Sequence, residues 1–251
     1  MLQAGMGLNH NIQHLENNWG VFLGSFNNNL PHKHFAIQLS IPVAADIKVS
    51  AAGKVYSCSE SILIQFNIEH SLNCDGIHLL LLFNPTSATG HFFKQMTSRP
   101  VSCFYSPVVS ALQKNALLFL HGNQTEKDFR ERLKHQLHQF ERDCSVYWHM
   151  GDERIGKALD YLFHHADRVV PLEEIAGHCF LSTSRFLHLF KEQTGVTYRR
   201  AQLWTRISQS VPELHHQSVT QTAHQYGFTD SAHYNRAFKE TFGLLPKAFK
   251  G

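Results

Sequence analysis

The 251-residue chain is 43% hydrophobic and 17% charged, with a net charge of +3, proportions that exclude a disordered or collagen-like chain. Its longest apolar run, Ile77 to Phe83, is far too short to cross a bilayer as a helix. The first residues carry no basic stretch followed by an apolar one, so no secretory leader and no membrane partner are expected, and a cytoplasmic location is. Five scattered cysteines (Cys58, Cys74, Cys103, Cys144, Cys179) form no CxxC pair, which fits reducing surroundings better than a disulfide framework. Charge is unevenly spread. From Ile175 onward there are nine Lys/Arg against four Asp/Glu, and the remainder is slightly acidic; a basic back half suits an anionic partner.

In chain order, the first hundred residues read as short strands: residues 19–26, 34–43, 46–56, 61–66 and 76–84, divided by Gly, Asn, Pro and Ser. That spacing predicts a barrel or a sandwich. After Pro107 the apolar positions take helical intervals. Phe129, Leu133, Leu137 and Phe140 fall on one face of a helical connector, a strip suited either to packing on its own barrel or to pairing with a second copy of the chain. From Asp152 onward everything reads as short helices, one of them starting at Leu172 after Pro171 with Glu173 and Glu174 in its first turn, where the helix dipole favours negative charge.

The back half repeats itself. Ser182 to Gly195 aligns with Asp230 to Gly243 at an offset of 48 (Phe186 on Tyr234, Phe190 on Phe238, Lys191 on Lys239), and Ala176 aligns with Ala223 at 47. Ser182 and Asp230 are good N-caps. Each copy therefore reads as helix, turn, capped helix and glycine stop, a helix-turn-helix. The aromatic pairs fix one face of each second helix in a core. The opposite faces offer Ser184, Arg185, Leu187 and His188, then Ser231, Ala232, Asn235 and Arg236, side chains suited to base edges in a major groove. Between the copies, a helix of roughly seventeen residues, about 25 Å long, could space the two readers about one DNA turn apart. Thr197 is its expected cap, and Arg199, Arg200 and Arg206 suit either phosphates or a solvated face.

The segment IAGHCFLSTSRFLHLFKEQTG followed by TAHQYGFTDSAHYNRAFKETFGLLPKAF resembles the C-terminal double helix-turn-helix of AraC-type transcription regulators. The resemblance implies base-reading helices at Ser182–Glu192 and Asp230–Thr241, with Ser182, Lys191, Asp230 and Lys239 added to the eight residues above as DNA-contacting positions. It also implies RNA polymerase as a partner, while a homodimer through the connector strip stays open. Two departures stand out. Phe180 occupies a turn position where the family usually has Gly, which would strain the backbone by about 1–2 kcal/mol if φ is positive there, and Pro212 should end or kink the linker helix. Leu187 cannot hydrogen-bond a base, so the second motif, through Arg236, is expected to discriminate sequence more than the first.

In the front half, HKHFAIQ with His32, His34 and Gln38, and IEHSL with His70, resemble the two histidine motifs of cupins, in which Glu rather than Gln completes a metal site. His32, His34, Gln38 and His70 are expected to line a small-molecule pocket, with a metal as the lesser alternative; no cofactor, metal or catalytic residue is expected. The predicted architecture is α+β with a cupin-like β-barrel at residues 1–105, a helical connector at 106–148 and an all-α double helix-turn-helix domain at 149–251. Three readings stay open: an effector-controlled regulator, a metal-dependent cupin enzyme with a DNA-binding tail, and a regulator whose barrel serves only assembly. In the first, effector binding would act through the connector around Phe129 to Phe140.

Overall fold

The computed structural model describes residues 12–15, 19–25, 30–43, 46–74, 76–85, 87–142, 151–242 and 244–249. Cys144, Gly243 and the end of the expected connector, residues 143–148, lie outside them.

The described residues of the front half form nine strands: β1 (Ile12–Leu15), β2 (Trp19–Gly24), β3 (Ile37–Pro42), β4 (Ile47–Ala51), β5 (Lys54–Cys58), β6 (Ile62–Ile64), β7 (His70–Cys74), β8 (His78–Phe83) and β9 (Val101–Cys103). The helices described with them are α1 (Ala88–Gln95), α2 (Pro107–Leu120) and α3 (Glu126–Arg142). The strands do not close into the expected barrel. They form a six-stranded antiparallel sheet, ordered β1-β2-β8-β3-β6-β9, and a three-stranded one, β5-β4-β7. Outside those ladders, an isolated bridge pairs His32 with His70. Apolar residues Ile47, Val49, Leu72, Ile62 and Ile64 fill the space between the sheets.

The large sheet is covered on both sides, which is why β2, β3 and most of β8 are buried at every position. Alternate residues of a strand face opposite sides. Val21, Leu23, Ile37, Leu39, Ile41, Leu79, Leu81 and Phe83 meet the helices α1 to α3. Phe22 and Leu82 face the other way and pack with the C-terminal helices. Phe129, Leu133, Leu137 and Phe140 join the first of these cores and are buried. The connector strip is thus used up within its own domain, and among the described residues the C-terminal half packs on the sheet through Phe22 and Leu82.

The back half is helical: α4 (Glu153–His164), α5 (Leu172–His178), α6 (Thr183–Thr194), α7 (Tyr198–Ser210), a 3-10 turn at Pro212–His215, α8 (Val219–Gln225), α9 (Ser231–Phe242) and a 3-10 turn at Pro246–Phe249. Pro212 does end the linker. Helix α7 has 13 residues, about 20 Å, so it is shorter than expected, and Thr197 makes no side-chain cap bond to it. Arg206 is a correction as well. Its side chain is buried, donates from Nε to the Tyr226 carbonyl at 2.8 Å and stacks on Phe228 at 4.2 Å. It braces the linker against the second motif and is not available to phosphate. Burial lowers its pKa from the free guanidinium value.

Candidate nucleic-acid interface

The two helix-turn-helix copies share a backbone hydrogen-bond pattern. In the first turn the N–H groups of Cys179, Phe180 and Leu181 donate to the carbonyls of Ile175, Gly177 and Ala176; in the second, those of Tyr226, Gly227 and Phe228 donate to Thr222, His224 and Ala223. The bond from Leu181 to Ala176, and its counterpart from Phe228 to Ala223, is the six-to-one closure of a Schellman helix end, which needs a left-handed residue just before it. Phe180 (φ +54°) and Gly227 (φ +69°) supply it. Glycine takes this conformation freely, and phenylalanine does not. Phe180 pays with strain and is left 93% exposed.

Each turn leads into a capped helix. Ser182 Oγ accepts the Arg185 N–H at 3.3 Å, and Asp230 Oδ1 accepts the His233 N–H at 2.7 Å. That bond is the first cause of the lowered Asp230 pKa. Both residues, expected at the DNA, therefore also have a fixed local task. Phe186, Phe190, Tyr234 and Phe238 are fully buried, and Tyr234 is anchored by a 2.6 Å bond between its hydroxyl and that of Ser210. With the aromatic faces committed inward, Ser184, Arg185, Leu187, His188 and Lys191 on α6 are exposed. On α9, Ala232, Arg236 and Lys239 are exposed, and Ser231 and Asn235 half-buried. No expected DNA-contacting residue is buried under the N-terminal domain. Arg199 is exposed beside them and Arg200 half-buried.

Both motifs nonetheless lean on the front half. Phe35 and Phe66 join the core of the first. Gly195, the left-handed C-cap of α6 at φ +79°, sits so close to Phe66 that an added Cβ would meet its ring at 2.8 Å. Phe22 rests edge-on against Phe249, with ring centroids 5.5 Å apart.

His32, His34, Gln38 and His70 come together as expected, all buried. With Phe22, Leu80 and Leu82 of the sheet and Phe242, Leu244 and Phe249 of the C-terminal domain, His32, His34 and Gln38 line a cavity of about 30 Å³ between the two halves, room for about one water molecule. Sequence reasoning found the polar members of this lining. It missed the apolar ones, because a run such as HLLLLF does not say which side will meet a second domain. Burial keeps the rings neutral: the His32 pKa falls to about 4, and those of His34 and His70 are lowered too.

Residues 175–251 match the family described as "Helix-turn-helix domain". The "Arabinose operon regulatory protein" of Escherichia coli is 31% identical over 102 residues, covering 39% of this chain and 35% of that protein; the match thus spans about a third of the curated relative. Two solved structures share the whole fold. Apo ToxT from Vibrio cholerae, a variant form, aligns over 92% of this chain and 96% of its own at a TM-score of 0.62 and 15% identity. Unsaturated fatty acid bound wild-type ToxT aligns over 95% and 96% at 0.59 and 15%. Among the described residues, no helix is long and apolar enough to cross a membrane.

Proposed function

We propose that the chain is an AraC-type transcription regulator, a reading supported by its C-terminal helix-turn-helix region, that it reads a specific duplex sequence with α6 and α9, and that it is controlled by a small apolar effector at the junction of its two halves. The observation that carries the DNA reading is the doubled turn and cap, each followed by a helix whose aromatic face is buried and whose polar face is open. Ser184, Arg185, Leu187 and His188 would read one major-groove segment, and Ser231, Ala232, Asn235 and Arg236 the next, with Lys191, Lys239 and Arg199 near phosphates. The test is selection of an operator from random DNA, followed by Arg236→Ala. Loss of about 1–3 kcal/mol on the selected site but not on random duplex is expected for a residue that bonds guanine; equal losses on both would reduce Arg236 to a phosphate contact.

Support for the effector is the lining of the cavity, which is apolar apart from His32, His34 and Gln38. Since the cavity holds about one water as it stands, a larger ligand needs the sheet and α9 to part. Effector binding would thereby shift the population of interdomain arrangements, acting on the second motif directly. Fatty acids, one of which is bound in a ToxT structure, are the first probes. A true effector raises the melting temperature by mass action and changes operator affinity; a ligand that does neither is not one. This reading places two copies of the chain on paired half-sites in the cytoplasm, in contact with RNA polymerase.

A further inference from the structure

We propose that His32, His34, His70 and Gln38 form a binding site for a divalent transition-metal ion, zinc(II) foremost, buried beneath the linker helix. Each histidine already has one ring nitrogen assigned. Nδ1 of His32 meets the Leu30 carbonyl at 2.9 Å, that of His34 the Ala36 carbonyl at 2.8 Å, and that of His70 the Ile68 carbonyl at 2.9 Å. A carbonyl oxygen only accepts, so all three Nδ1 atoms carry the proton, and all three Nε2 atoms are left as bare lone pairs. Backbone carbonyls holding the far nitrogen are the support that metal-ligating histidines use to fix tautomer and ring direction.

The lone pairs converge. One ring nitrogen from each histidine lies within 4.8 Å of the others. Into the same space comes Gln38 Oε1, 3.1 Å from Nε2 of His34 and 3.2 Å from Nε2 of His70, while the Gln38 amide nitrogen donates to Ser40 Oγ at 2.9 Å. Three acceptors thus face one another with no hydrogen among them. Turning the amide over would give His34 and His70 a donor, yet Gln38 would still offer nothing to His32, whose ring faces the small cavity. One cation satisfies all four atoms at once. Three imidazoles and an amide oxygen suit zinc, whose nitrogen bonds of about 2.0–2.1 Å place ligand atoms about 3.3 Å apart in a tetrahedron, so a modest inward turn of the rings completes the shell. The neighbouring cavity offers an entry path.

The position gives the ion a structural reach. His32 and His70 are joined by an isolated bridge outside the regular ladders, and the His34 ring lies 5.8 Å from Trp204 of α7, which in turn lies 5.8 Å from Phe242 of α9. An ion that fixes His34 fixes the floor on which the second helix-turn-helix rests.

The site is tested on the full chain without DNA, so its failure and that of the regulator reading are separable. Protein freed of metal by chelator is titrated with zinc(II) in competition with a chromophoric chelator, and with cobalt(II) followed by visible absorption. One equivalent bound, intense tetrahedral cobalt bands and a melting temperature raised by zinc are expected. His70→Ala should weaken zinc by more than the ~10–100-fold that loss of a supporting partner costs. Should that variant fail to fold, Gln38→Glu decides the matter, because a carboxylate in the fourth place should bind zinc more tightly than the wild-type amide. Absence of cobalt bands and of a zinc-dependent melting shift would mean an amide-bridged neutral triad and would overturn the proposal. So would zinc affinity unchanged in His70→Ala or in Gln38→Glu.

Discussion

Phe180 and Gly227 stand in equivalent turns at φ +54° and +69°, but their surroundings differ. An added Cβ at Gly227 would lie 2.9 Å from the Arg168 backbone and the Asp167 carbonyl, whereas Phe180 points into solvent. Phe180→Gly should therefore release the ~1–2 kcal/mol of left-handed strain and give back about half of it as unfolded-chain entropy, a net gain of up to about 1 kcal/mol in urea unfolding. Gly227→Ala should lose at least the full strain, with the backbone clash added. Buried bases make a second prediction at this scale. Burial drops His32 and His78 to about 4 from 6.5, so the folded state binds fewer protons than the unfolded chain. Stability from these groups is complete above pH 6.5 and declines as pH falls toward 4. The urea midpoint of metal-free protein should drop between pH 7 and pH 5; a flat profile would mean that these rings take up protons in the folded protein as they do in the unfolded chain.

The helix-turn-helix elements were legible because their signals are local. A cap, an aromatic pair four residues apart and a glycine or its substitute at the turn each act within one helix, and Ser182, Phe186, Phe190 and Phe180 do in the structure what their spacing suggests. The strands fared unevenly. Ile12–Leu15, His70–Cys74 and Val101–Cys103 are too short for a periodic pattern to register, and α1 was hidden inside a stretch assigned to strands and turns. Whether strands close a barrel depends on pairing between distant edges, which no single run encodes. Helix α3 shows the same limit. Its strip is plain in the sequence, but its partner is not, and the structure spends it in the core shared with α1, α2 and the large sheet, where Phe140 meets Phe92 and Phe93 and Phe129 meets Phe119. Leu133→Ala should cost about 2–5 kcal/mol at any protein concentration. A cost that shrank on dilution would show that the strip is shared between two chains.

At the scale of the molecule, the two halves are joined through ring contacts rather than through a bare tether. Phe22 of β2 meets both Phe242 and Phe249, and Phe66 meets Gly195 at the end of α6. Phe249→Ala removes one of the largest of these contacts, and truncation of a buried phenylalanine costs about 3–5 kcal/mol. Unfolding followed by helix and sheet signals separately should then split into two steps where the wild type shows one; a single shared transition in the variant would mean that the junction does not couple the halves. The doubly covered sheet has a practical corollary. Cutting the chain after α3 would not liberate a tidy module, because Phe22 and Leu82 would be bared to water on an otherwise finished surface, and such a greasy patch invites self-association. Grafting the tail onto a foreign sensor would leave the opposite wound, with Phe242 and Phe249 unsheltered, so the two parts are better regarded as mutual chaperones than as interchangeable cassettes.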